Sequence, residues 1–174
     1  MPRSGECHSP CHLICIDPAR VHEFWPHVSP LIAVAMERGG ITDIADVERA
    51  VLTGRALVWI AIARLEGERL NGERPSSRAM DGNGAVIKAA AVTQLSELNG
   101  ARFCSIVACG ASPSKPAARR RGRDRDEWLP LLAGLEHYAR AESCKAMRIF
   151  GRRGWERLLP DYKAARVLLE KELT

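Results

Sequence analysis

The chain lacks any long hydrophobic run: nothing in its 174 residues approaches the ~18 consecutive apolar residues of a membrane-crossing helix. An apolar core near the start is missing as well. Residues 1–10 carry one arginine, Arg3, and no hydrophobic stretch of the secretory-signal kind, so a cytoplasmic location is the expectation. Extremes of composition are also missing. At 46% hydrophobic and 27% charged residues the chain is neither collagen-like nor wholly disordered, and it contains no internal repeat. What remains is one ordinary soluble domain, large enough to bury a core, expected over 12–174 behind a flexible extension at 1–11.

A paired set of metal ligands is lacking too. Cys7, Cys11 and Cys15 are evenly spaced, with His8 and His12 beside two of them. Structural zinc sites add a second ligand pair further along the chain; none follows here, so no metal is expected. Cys104, Cys109 and Cys144 lie in apolar runs, where cysteine behaves as a small hydrophobe.

Basic charge is balanced everywhere except in one stretch. Segment 115–125 holds Lys115, Arg119, Arg120, Arg121, Arg123 and Arg125 against Asp124 alone, and its net charge equals the +5 of the whole chain. Such a loop suits a polyanion: the phosphates of a cofactor, a nucleic acid or a membrane surface. No aromatic residues are interleaved with the arginines, which removes base stacking and leaves only salt-sensitive phosphate contacts, so nucleic acid is not the expected partner.

The periodicity supplies the elements. Residues 12–17 read as a short strand ended by Asp17-Pro18. Val21, Phe24, Trp25, Val28, Leu31, Ile32 and Ala35 form one helical face, interrupted by Pro26 and Pro30, which predict a kink or two short helices before Gly39-Gly40. Thr42 or Asp43 caps a second helix with Val47, Ala50 and Val51 inward and Gly54 as its stop. Residues 56–62, 85–96 and 102–109 read as strands, the last two joined by a tight Asn99-Gly100 turn, with long loops at 64–84 and 110–125. A helix at 126–141 turns Trp128, Leu131, Leu132, Leu135, Tyr138 and Ala139 to one side, with Glu127, Glu136 and Arg140 outside. A strand at 145–150, a short helix at 155–159 and a last strand at 162–173 complete the order β-α-α-β-β-β-α-β-α-β. That order predicts an α/β (α+β) fold: a mixed, mostly antiparallel sheet with helices on both faces.

The order, and the run Arg119-Arg120-Arg121-Gly122-Arg123-Asp124 between the fourth strand and the long helix, resemble the GNAT superfamily of acyl-CoA-dependent N-acetyltransferases over about 12–173. In that family the helix is preceded by Arg/Gln-x-x-Gly-x-Gly/Ala. Arg119 and Gly122 match the first two fixed positions, and Asp124 departs from the third. The resemblance implies acetyl-CoA as cofactor. It places the diphosphate at Arg119, Arg120, Arg121, Gly122 and Arg123, on the N–H groups that open the helix. It places the pantetheine arm along Ile106, Val107, Ala108 and Cys109, beside a β-bulge that splays this strand from the next. The acceptor would be a small-molecule or protein amine.

Acetyl transfer needs a base for the amine and, often in this family, a tyrosine or cysteine on the helix after the fifth strand to protonate the leaving thiolate. Residues 155–159 hold neither. The candidates are therefore Glu97, near the meander turn, as base, and Tyr162, just past the helix, if the chain folds back. Gly151-Arg152-Arg153-Gly154-Trp155 with Arg148 resembles a pattern of GNAT-like proteins encoded in bacteriophages and prophages. That resemblance implies an alternative: a catalytically idle, virion-associated or interaction component, with phage virion proteins or a second copy of the chain as partner. Arg148, Arg152 and Arg153 would there hold an acidic partner or a phosphate.

Overall fold

A computed structural model of the chain describes residues 11–37, 43–64, 85–111, 123–150, 159 and 161–163, without the side chains of Arg64 and 123–130. It contains β1 (His12–Cys15), a 3-10 turn (Pro18–Arg20), α1 (Val21–Met36), α2 (Ile44–Leu52), β2 (Leu57–Arg64), β3 (Ala85–Leu98), β4 (Ala101–Ala111), α3 (Arg123–Ala141) and β5 (Ala146–Ile149). The five strands lie in the order β1-β2-β3-β4-β5. All neighbours are antiparallel except β4 and β5, which run parallel across the α3 crossover. The architecture expected from the sequence is the one observed, with α1 and α2 on one face and α3 on the other. The expected helix at 155–159 and strand at 162–173 fall largely outside the described residues, as do 1–10 and Gly39-Gly40.

The two prolines do not divide the first helix. Val21–Met36 is continuous, with Pro26 and Pro30 inside it. Both prolines are exposed, on the side turned away from Val21, Trp25, Val28, Leu31 and Ile32. Each removes one rung, and the carbonyls it leaves without that partner, on His22 and Pro26, belong to residues on the same exposed side, open to solvent. Burial of the opposite face, worth roughly 1.5–3 kcal/mol per large side chain, holds the helix together.

The second helix follows its signals. The Asp43 carboxylate accepts the Ala45 N–H at 3.2 Å, and Gly54 takes φ +70° just past the end. Val47 and Val51 point inward beside α1. Asn99 and Gly100 have φ of 51° and 73°, the paired left-handed conformation of a two-residue hairpin.

Strand bounds shift slightly from expectation. The first strand stops at Cys15, because Asp17 turns to cap the 3-10 turn, accepting the Ala19 N–H at 2.9 Å. The second runs 57–64, so Arg64 is still strand. The fourth reaches Ala111 and α3 begins at Arg123, both inside the stretch expected as a loop at 110–125; 112–122 lie outside the described residues. No helix among the described residues is long and apolar enough to cross a membrane.

Both faces of the sheet are packed. On one, Ile16, Val58, Ile60, Ile87, Ala90, Val92 and Ala108 meet α1 and α2. On the other, Trp59, Ala91 and Ile106 meet Leu132, Leu135 and Leu159. Two glycines set the spacing of the layers. A Cβ on Gly110 would run into the backbone carbonyl of Leu31, so β4 passes directly beneath α1. A Cβ on Gly134 would lie 2.6 Å from Leu13 Cδ2, so α3 sits close over β1.

Candidate functional site

The register of β3 against β4 slips at one point. Val92 faces Ala108, and Thr93 faces Ile106, which leaves Val107 as an extra residue on β4. A bulge of this kind puts two successive side chains on one face. Val107 and Ala108 both pack on the α1 side, whereas Ile106 and Cys109 both face α3. The bulge is braced from below. The Trp59 indole N–H donates to Thr93 Oγ1 at 2.8 Å, and the Trp59 ring packs on Tyr138 with centroids 4.9 Å apart.

The parallel ladder between β4 and β5 ends at the same place. It pairs Phe103 with Ala146, Cys104 with Met147, Ser105 with Arg148 and Ile106 with Ile149, and a last bond joins the Phe150 N–H to the Ile106 carbonyl at 3.3 Å. From Val107 to Ala111 no strand pairs with the outer edge of β4 among the described residues. The described ladder between the two strands ends at Ile106, and residues 151–158, which follow β5, lie outside the described residues. The outer edge of β4 runs on to Ala111, and α3 starts at Arg123, immediately after Gly122 in the chain. Ile106, Val107, Ala108 and Cys109 are consecutive at the point where that ladder ends. Arg123 is the first residue of α3, while Arg119, Arg120, Arg121 and Gly122 lie outside the described residues. Burial pushes the Cys109 thiol up to about 11, so it stands there as a neutral group.

Glu97 stands at the turn end of the β3–β4 hairpin, away from the end of that ladder, whereas Tyr162 packs on the same side of the sheet as Ile106 and Cys109. Glu97 belongs to the end of β3 rather than to the turn itself. It faces Arg102 across the hairpin, with Oε1 3.4 Å from the guanidinium, which also contacts the Glu142 carboxylate at 3.6 Å and its backbone carbonyl at 3.2 Å. This set of contacts ties the closed end of the hairpin to the end of α3. Tyr162 does fold back: its hydroxyl donates to Glu136 Oε1 at 2.9 Å and lies 3.4 Å from Met147 Sδ. Burial raises its pKa first, and the hydrogen bond to Glu136 raises it further. Glu136 is thus half-buried under Tyr162, not on the outer side of the helix as its spacing predicts; Arg140 binds its other oxygen at 3.1 Å.

Of the N-terminal cysteines, Cys11 and Cys15 stand apart, and Cys7 with His8 lies outside the described residues. Cys11 precedes β1 and Cys15 ends it; at the rise of an extended chain they stand about 13 Å apart, too far to share one ion. Among the described residues no group of His, Cys, Asp and Glu is arranged to hold a metal.

A strand edge without a described partner, followed in the chain by a helix N-terminus, suits an extended ligand carrying amide groups and a diphosphate. The edge offers alternating donors and acceptors, and the helix offers unpaired N–H groups. Solved structures with the same fold are acetyltransferases. A GNAT family acetyltransferase of Staphylococcus aureus aligns with TM-score 0.55 and 12% identity over 94% of this chain and 99% of its own. A predicted acetyltransferase of Clostridium acetobutylicum, determined with acetyl-CoA, aligns with TM-score 0.53 and 11% identity over 94% and 96%. An aminoglycoside acetyltransferase from an uncultured soil metagenome, determined with sisomicin, aligns with TM-score 0.58 and 10% identity over 94% and 97%. No family model matches the chain, and no curated protein matches its sequence. The likeness is one of fold, and the fold is that of GNAT acetyltransferases.

Two features carry no signature of their own in the residues: the bulge is expected only through the family resemblance, and the return of Tyr162 is expected without a partner. The bulge at Val107 has no residue signature, because it is a matter of register between strands. The Tyr162–Glu136 bond joins residues far apart in the chain across a segment with no periodic signal.

Proposed function

We propose that the chain is an acetyl-CoA-dependent N-acetyltransferase acting on an amine. One observation carries this reading: the described β4–β5 ladder ends at Ile106, beside the bulge at Val107, and among the described residues no strand covers the outer edge of β4 from there to Ala111. The outer edge of 107–111 would hold the pantetheine amides as an added strand would. The first N–H groups of α3, with Arg119, Arg120, Arg121 and Arg123, would hold the diphosphate. Gly122 lets the backbone approach closely. When bound, acetyl-CoA supplies an acetyl thioester as electrophile.

The chain's own residues then have three tasks. The strand edge orients, the apolar pair Ile106 and Cys109 excludes water on the α3 side, and a proton must leave the amine and reach the departing thiol. Tyr162 is our candidate for the last step. Its hydroxyl donates to Glu136, so it would act only after that bond opens. Glu97 is engaged by Arg102, a geometry that suits a clasp better than a base.

Titration with acetyl-CoA while following the melting temperature tests the reading. At 100 times its dissociation constant the cofactor should add about 2.7 kcal/mol to stability. Release of thiol in the presence of an amine panel should accompany it. No shift at millimolar cofactor would instead favour the idle scaffold that the phage-like C-terminal pattern suggests.

A further inference from the structure

On the sheet face opposite α3, near the end of the described ladder, stands a cation with no carboxylate partner among the described residues. Arg148 faces Ser105 in the parallel ladder, so its side chain emerges on the α1 side with those of Phe103 and Val107. The guanidinium carbon lies 3.6 Å from the centroid of the Phe103 ring, the contact distance of two stacked planar groups. Ion pairs bind Arg20, Arg49, Arg102 and Arg140 to acids, but Arg148 enters none of them. Phe150, two residues further along the chain, is 53% exposed, and its N–H makes the last described bond between the two strands.

A guanidinium stacked on a ring is held in orientation by its face, while its N–H edge stays available. Two parallel N–H groups on that edge match the two oxygens of a carboxylate. Arg148 is one residue short of Ile149, where the described ladder ends, and lies on the side not covered by α3. The proposed cofactor edge, 107–111, begins next to that last pair. Resting on the transferase reading above, we infer that Arg148 is the specificity residue for the acceptor, and that the acceptor is an amine bearing a carboxylate, of the amino-acid or short-peptide class. Phe103 supports the guanidinium from beneath, and Phe150 offers an apolar wall to the acceptor side chain. A polycationic amine meets like charge here and is disfavoured.

The test compares matched pairs: each of a set of α-amino acids and short peptides against its own C-terminal amide, with acetyl-CoA and a thiol-reactive dye. The preferred acid should exceed its amide about tenfold in kcat/KM, as a partly desolvated charge-assisted pair would give. In Arg148→Met, which keeps the apolar stem over Phe103, that ratio should fall to about one while the acetyl-CoA dissociation constant is unchanged. Arg148→Lys, which keeps charge but loses the planar fork, should fall between. Three results overturn the inference and leave the transferase standing: amides used as well as acids, a ratio indifferent to Arg148→Met, or cofactor binding with no acid in the set acetylated. Absence of acetyl-CoA binding in the unaltered chain overturns the transferase reading itself, and this inference with it.

Discussion

Thr93 Oγ1 accepts the Trp59 indole N–H at a position only 1% exposed, directly below the bulge. Thr93→Val keeps the volume but strands that N–H in an apolar layer. It should cost about 1–3 kcal/mol and change the intrinsic tryptophan emission. A variant as stable as the parent would show that Trp59 has another partner. The thiols give a second residue-scale prediction. Burial holds both Cys104 and Cys109 at about 11, with Cys144 and Glu142 adding to the effect at Cys104. An unfolded thiol titrates near ~8.5, so across about pH 9–11 the folded chain keeps protons that the unfolded chain has lost. Stability from these groups is therefore complete below that window and lost as pH rises through it. Urea midpoints between about pH 8 and 11 should fall more steeply for the parent than for a Cys104→Ala/Cys109→Ala variant. Parallel slopes would assign the alkaline loss to other groups.

At the scale of elements, two glycines make opposite predictions. Gly110 faces the Leu31 carbonyl, which cannot yield without moving α1, so Gly110→Val should cost about 2 kcal/mol or more. Gly134 faces only the end of the Leu13 side chain, which borders a small apolar cavity with Ala61, Ala89 and Leu131. Leu13 can shift into that space, and alanine is about 1 kcal/mol better than glycine inside a helix. Gly134→Ala should thus leave the melting temperature unchanged or raise it by a few degrees; a clear drop would mean Leu13 is immovable. The elements also mark how far the sequence could be read. Continuous apolar runs made β2 and β4 legible, as Asn99-Gly100 did their hairpin partner β3 and Asp43 and Gly54 did α2. Pro26 and Pro30 misled, because their cost depends on which side of α1 they occupy, and local spacing alone weighs each proline as a break. The candidate site was legible only in its order along the chain. Its geometry comes from a one-residue slip between β3 and β4, and no composition or period encodes such a slip.

For the molecule as a whole, one device links fold to chemistry. The outer edge of β4 is paired with β5 through Ile106 and, among the described residues, carries no strand beyond it, so on the transferase reading only a short stretch offers its backbone groups. α1 packs directly over that stretch at Gly110. Amide hydrogen exchange with and without acetyl-CoA tests this most directly. At saturating cofactor the amides of Val107, Cys109 and the first turn of α3 should exchange at least tenfold more slowly, while those of β2 stay as they were. Cofactor that binds without protecting 107–111, or protects the zipped stretch 103–106 instead, would contradict the account.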